Sequence, residues 1–172
     1  LEKAVEEKAM DNYEQFILYL DVLEKKEEYN LISGILTGPL GTKLIKVDSE
    51  RDYLIAKNYY KAKDYKNAYI ALKKVSTNLP DDWESKYLLV ETALKLNESD
   101  IEDYLINQNK ENPKLRAPLL ARLEYLRLLS KNNKIDKKLS HQLIIDYAKS
   151  IGTKLTFYPD ISRFLIPELI DE

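Results

Sequence analysis

Apolar residues recur along this chain at spacings of three and four, and no segment alternates convincingly at two. That periodicity predicts helices and essentially no sheet. Tyr13, Phe16, Ile17, Leu20 and Leu23 fall on one face of a helix over residues 2–27. Glu27-Glu28-Tyr29-Asn30 reads as a turn into a shorter helix from Leu31 to Leu36. Gly38-Pro39 is expected to break that helix, with Gly41-Thr42-Lys43 continuing as loop. Ser49 is the expected N-cap of the next helix, which runs to about Ala62. Asp64 caps a partner from Tyr65 to about Thr77, and Leu79-Pro80 stops it. Asp81 or Asp82 caps a helix from Trp83 to about Leu96. Further helices are predicted over Ile101–Asn109, Leu115–Leu129, Lys137–Ser150 and Ile161–Leu169. Gly152 is expected to end the third of these as a left-handed C′ residue.

Within this pattern residues 53–83 read as a helical hairpin of the tetratricopeptide type. Such a hairpin needs small residues where its helices cross and large ones where it packs on neighbours. Counting back from Pro80 places Ala56 at the small position of the first helix and Tyr59 at the large one. Asp64, Tyr65 and Ala68 form the turn signature, and Leu72 is the bulky residue of the second helix. A degenerate copy, Glu28-Tyr29-Asn30-Leu31-Ile32, precedes Asp64–Ala68 by 36 residues. The expected class is therefore all-α, with tetratricopeptide-like hairpins stacked as an α-solenoid fragment. Its expected divisions are a degenerate repeat over 12–47, the clearest repeat over 48–81 and further hairpins over 82–172. Repeats without polar caps imply missing neighbours, so the chain is expected to be an internal piece of a longer protein.

Composition narrows the function. Four Gly and six Pro in 172 residues, with 33% charged residues, fit a helix-rich protein. No cysteine is present, which removes disulfides, thiolate metal sites and thiol nucleophiles together. The net charge of −2 gives the chain no overall nucleic-acid footprint. No apolar run approaches the ~18 residues that a membrane span needs. The anomaly is tyrosine: 13, against 3 Phe and 1 Trp, so aromatic packing here keeps a polar tip at half-buried grooves and interfaces.

Candidate chemistry is thin. Gly38-Pro39-Leu40-Gly41-Thr42-Lys43 superficially resembles a phosphate loop, but its order and spacing are wrong and no strand precedes it. His141 is the only histidine and has neither a convergent ligand set nor a base partner in its vicinity of sequence. Asp81, Asp82, Glu84, Asp100, Glu102 and Asp103 sit near helix starts, where capping and the helix dipole explain them. The lysines of 131–138, and Lys57, Lys61, Lys63, Lys66, Lys73 and Lys74, read as solvated faces. Ribosomal RNA or acidic peptides are the partners such patches would take. Lys57, Asn58 and Lys61 lie on the helix that a carboxylate-clamping repeat would use. No catalytic residue, cofactor or metal is expected.

Three ordered stretches carry a family resemblance. The first is Pro80-Asp81-Asp82-Trp83 followed by Tyr87. The second is Arg116-Ala117-Pro118-Leu119-Leu120-Ala121-Arg122-Leu123-Glu124, in which Ala117 and Leu119 depart from a glycine and a tyrosine. The third runs from Tyr147 through Gly152 to Phe157-Tyr158-Pro159-Asp160 and Phe164. Together they resemble the auxiliary, non-catalytic subunit of the N-terminal acetyltransferase B complex, over roughly residues 49–165. The resemblance implies a scaffold that binds and positions the catalytic acetyltransferase subunit, in the cytoplasm and with the ribosome as a further candidate partner. It implies action on nascent chains beginning Met-Asp, Met-Glu, Met-Asn or Met-Gln, with acetyl-CoA held by the other subunit. The residues it marks are Asp82, Trp83, Tyr87, Arg116, Pro118, Leu120, Ala121, Leu123, Glu124, Gly152 and Asp160. A generic tetratricopeptide module for short acidic peptides is the alternative. Acetyltransferases of that superfamily bind pyrophosphate on a Gln/Arg-x-x-Gly-x-Gly/Ala loop before a helix, and this chain has no such loop.

Overall fold

The computed structural model describes residues 12–132 and 134–151. All regular structure among them is helical: α1 (Tyr13–Lys25), α2 (Tyr29–Thr37), α3 (Pro39–Leu44), α4 (Asp48–Lys61), α5 (Tyr65–Asn78), α6 (Trp83–Leu96), α7 (Ile101–Glu111), α8 (Ala117–Lys131) and α9 (Lys137–Ile151). The expected helix over Ile161–Leu169, and Gly152 and Asp160 with it, lie outside the described residues. The chain divides into two compact units between Leu79 and Pro80.

In the first unit, α1 and α2 close on Phe16, Leu20, Leu23, Ile32, Ile35 and Leu36, joined by Ile45 from the strap before α4. The next hairpin, α4–α5, buries Ala56, Ala68, Leu72 and Val75 completely, so two alanines stand where the helices approach. The two hairpin turns are built alike. Glu27 and Lys63, 36 residues apart, both adopt left-handed backbone, at φ 60° and 61°. The Glu28 N–H reaches the Leu23 carbonyl at 3.0 Å, and the Asp64 N–H reaches that of Tyr59 at 3.0 Å. These are the six-to-one bonds of a Schellman ending, which satisfy carbonyls that the helix leaves unpaired.

The structure corrects four boundaries. The Gly38–Lys43 segment, expected as loop, contains α3. Pro39 opens it at the first helical position, where a missing N–H costs nothing. Gly41 then lies against the end of α2: a Cβ there would stand 2.4 Å from the Leu36 carbonyl oxygen. Ser49 does not cap α4, which starts two residues earlier than that cap would set it, at Asp48 with Val47 at the N-cap position. Asp48, in the first turn, pairs with Arg51 at 2.5 Å instead. α2 begins at Tyr29, not Leu31, because the left-handed Glu27 completes the turn sooner. α8 begins at Ala117, not Leu115, for a reason that lies in the second unit's capping.

In the second unit α8 is central: α6, α7 and α9 all pack on it. Ten of its residues are buried, which explains its nearly continuous apolar character. α6 supplies Leu89, Val90 and Ala93 and α7 supplies Ile101 and Leu105. α9 supplies Ile144 and Ser140, the latter donating to the Leu126 carbonyl at 3.1 Å.

Two substitutions read these turns in opposite directions. Lys63→Gly removes a left-handed Cβ and is expected to raise stability by roughly 0.5–1 kcal/mol. Gly41→Ala forces a methyl onto the Leu36 carbonyl and is expected to lower it by about 2–3 kcal/mol. Urea denaturation midpoints of the two variants check both signs.

Candidate functional site

The acidic pair before α6 divides its work between two helices. The Asp82 carboxylate accepts the Ser85 N–H at 2.8 Å and so caps its own helix. The Asp81 carboxylate accepts the N–H groups of both Arg116 and Ala117, each at 2.8 Å, at the start of α8. The residue at the N-cap position of α8, Arg116, makes no side-chain cap bond. Asp81 therefore supplies from 35 residues away what the local sequence lacks, and a negative group there complements the helix dipole. This is why α8 starts at Ala117. Trp83 packs tilted on Tyr87, their ring centroids 5.8 Å apart. The Tyr87 hydroxyl donates to Glu91 at 3.0 Å. Burial pushes the Tyr87 phenol up, and the Glu91 carboxylate adds to that.

Beneath the junction lies Lys86, completely buried. Its ammonium donates to the Gln108 side-chain oxygen at 2.6 Å, linking α6 to α7. Burial lowers its pKa to about 8, while the charges of Asp82 and Asp81 oppose the fall. Lys86 was absent from the residues read out of the sequence. A signal was there: residues 86, 89, 90 and 93 share one helical face, and the other three are Leu, Val and Ala.

The second motif stretch forms the buried body of α8. Pro118, Leu120, Ala121 and Leu123 all lie inside. Glu124 is only 2% exposed and receives Arg127 through Nε at 2.7 Å and Nη2 at 2.5 Å. Arg122 reaches Glu102 of α7 at 3.4 Å. Burial pushes the Tyr125 phenol up, with Glu102 contributing. Lys134 closes the opposite end, donating to the Leu94 carbonyl at 3.0 Å beside the left-handed Asn97. The structure thus brings Asp82, Trp83 and Tyr87 into one unit with the Arg116–Glu124 stretch, through Asp81.

The repeat-motif residues lie in the first unit, apart from Pro80. Asp64 accepts the Asn67 N–H at 3.3 Å and its side-chain amide at 2.7 Å. Tyr65 meets Tyr60 edge-on at 5.8 Å. Tyr59 and Pro80 are half-buried. Of the three clamp candidates, Asn58 is buried and donates to the Tyr29 carbonyl at 2.9 Å and to Ser33 at 2.6 Å. Lys61 is paired with Glu24. Lys57 is half-buried. Lys74 pairs with Asp52 at 2.7 Å, and Lys73 lies over the Tyr69 ring at 5.3 Å.

Chemically the site holds helices in place. Among the described residues no cluster of His, Cys, Asp or Glu could hold a metal ion. The Gly38–Lys43 segment is helical and offers no phosphate cradle. His141 is half-buried on α9. Among the described residues no helix is long and apolar enough to cross a membrane.

Comparisons agree with this reading. Residues 57–170 match the family model of the non-catalytic subunit of the N-acetyltransferase B complex. Residues 1–75 match that of the N-terminal tetratricopeptide-repeat region of Psidin. The chain is 26% identical to the Aedes aegypti phagocyte signaling-impaired protein, over 96% of this chain and 19% of that protein. It is 26% identical to the Arabidopsis thaliana N-terminal acetyltransferase B complex auxiliary subunit NAA25, with 96% and 19% covered. It is 23% identical to the human N-alpha-acetyltransferase 25, NatB auxiliary subunit, with 96% and 20% covered. The chain thus spans about one fifth of the length of these relatives. No solved structure matches it significantly.

Two measurements probe the junction. Asp81→Ala strips α8 of its cap and is expected to cost about 1 kcal/mol, whereas Asp81→Asn, which keeps an acceptor, should lose less. Equal losses in urea denaturation would show that charge, not the cap bonds, matters. The second concerns pH. Between about 8 and 10.5 an unfolded Lys86 keeps a proton that the native one has released. Stability must then rise with pH across that window. The rise, on the order of 2 kcal/mol, is expected in the native sequence and absent in Lys86→Met. The difference between their pH profiles isolates it from the raised tyrosines, which pull the other way above pH 10.

Proposed function

The chain belongs to the family of non-catalytic subunits of the N-acetyltransferase B complex, and from that premise we propose that it binds and positions the catalytic acetyltransferase subunit. It is an auxiliary component and not itself an enzyme. In this reading the complex acts on nascent chains that begin Met-Asp, Met-Glu, Met-Asn or Met-Gln, in the cytoplasm and in contact with the ribosome. Residues 12–47 and 48–81 serve as two tetratricopeptide-like repeats, and residues 82–172 as further hairpins of the same scaffold.

The observation that carries the reading is the fixed junction inside the family match. Asp82, Trp83 and Tyr87 sit on α6, and Arg116 to Glu124 on α8, with Asp81 bonded between them. Their polar groups are engaged with one another and with helix ends, as a scaffold requires. The acidic-peptide clamp is the weaker reading, because Asn58 and Lys61 are engaged inside the first unit.

Co-expression with the catalytic acetyltransferase subunit tests the proposal. The expected result is co-purification, with acetyl transfer to a Met-Asp peptide faster than by the catalytic subunit alone. Failure to form a complex, or a complex with no gain in transfer, would sink it.

A further inference from the structure

Lys86 is a cation held out of reach of solvent, and the helices around it differ in how readily they can return it to water. Its side chain is completely buried on α6, and desolvation opposes the ammonium. The carboxylates that act on it are Asp82, at the start of its own helix, and Asp81, just before it. From α7 it meets the neutral side-chain oxygen of Gln108 at 2.6 Å. On α8 the buried carboxylate is Glu124, which Arg127 holds with two bonds. The protonated lysine therefore gains when a neighbouring helix steps aside.

α6 carries the lysine and is fixed at both ends, by the Asp82 cap and by left-handed Asn97 with Lys134 beside it. α8 is the centre on which the other helices pack, and Asp81 ties its start to that of α6. α7 is held less firmly. It has 11 residues, against 14 in α6 and 15 in α8 and α9. Asp100 gives it no side-chain cap bond, and its end at Asn112 is not left-handed. A helix so short has little stability of its own. α7 packs on α8 and scarcely on α6, so the Lys86–Gln108 bond ties two helices that share little other packing. The Glu102–Arg122 pair, which joins α7 to α8 at 3.4 Å, is half-exposed, and solvent weakens such pairs.

We propose that α7 is a movable wall of the second unit, and that the charge on the buried Lys86 sets how often it opens. Detaching α7 hydrates the lysine while Asp81 still joins α6 to α8. Protonated Lys86 favours the open form; neutral Lys86 favours the closed one. The sign follows from linkage. In the closed form the lysine has a pKa of about 8, below its ordinary 10.5, so closure is weakest while it is protonated. Elements that move belong to the least stable part of a fold, and α7 has the features of one.

Native-state hydrogen exchange on the full chain tests this, read as protection factors corrected for the intrinsic pH dependence of exchange. At pH 7 the amides of α7 are expected to be at least about ten-fold less protected than those of α6 and α8. Between pH 7 and 9 their protection should rise about ten-fold, the change that values of 8 and 10.5 dictate over that window. Lys86→Met should raise α7 protection at pH 7 at least to the level reached at pH 9, and remove its pH dependence. Lys86→Gln, neutral but still polar, should remove the pH dependence as well, which separates charge from packing. Protection of α7 equal to that of α6 and α8 would overturn the proposal, because the unit would then open as one. So would protection that does not change with pH, or a pH dependence that survives either substitution.

Discussion

Helices of fifteen residues or fewer are marginal by themselves, and none of the described ones is longer. Each leaves unpaired N–H groups at its start and unpaired carbonyls at its end. How those ends are satisfied is the constraint on which the rest of this structure depends. Local acids and amides do part of the work, with Asn12, Asp64 and Asp82 capping α1, α5 and α6. Left-handed residues at Glu27, Lys63 and Asn97 close three C-termini. Elsewhere the chain reaches across: Asp81 serves α8, which has no side-chain cap of its own, and Lys134 adds a bond to the Leu94 carbonyl at the end of α6. The distant caps do what local ones cannot, because they also position one helix against another.

That is the physical basis for reading the chain as a scaffold. A surface that holds a partner must have helices with fixed angles and offsets. Here small residues set the approach of helices, as at Ala56, Ala68, Ala93 and Ala121, all with no exposed surface. Buried polar ties then restrict how they can slide, as Asn58 does in the first unit and Lys86 with Gln108 in the second. A buried ammonium is costly to desolvate. Its presence beneath the Asp81–Asp82 pair is understandable as a registry device in which two carboxylates offset part of that cost.

Much of this was legible along the chain. The helix at 65–78, the start of α6 at Trp83 and the presence of an aspartate cap before it follow from period and capping chemistry, which are local properties. The small and large positions of the repeat follow from steric demands that a sequence displays directly. The misses share one cause. α3 was hidden because Gly-Pro and Gly-Thr read as loop, and only packing against α2 shows that Pro39 opens a helix and Gly41 permits contact. Ser49 looked like a cap because serine ahead of an acidic first turn fits the capping rule, yet the helix already starts at Asp48, which pairs with Arg51. The clamp trio looked available because nothing in the sequence tells that Asn58 meets Tyr29 and Lys61 meets Glu24.

By itself, then, the amino-acid sequence determined the helical class, most of the helix boundaries and the absence of thiol chemistry, because period, capping and composition act within a few residues. Tertiary structure decided which of two adjacent aspartates caps its own helix and which caps another. It decided that a lysine goes inside. Those outcomes depend on side chains tens of residues apart meeting at one place. No local pattern encodes that meeting; only the packed backbone does.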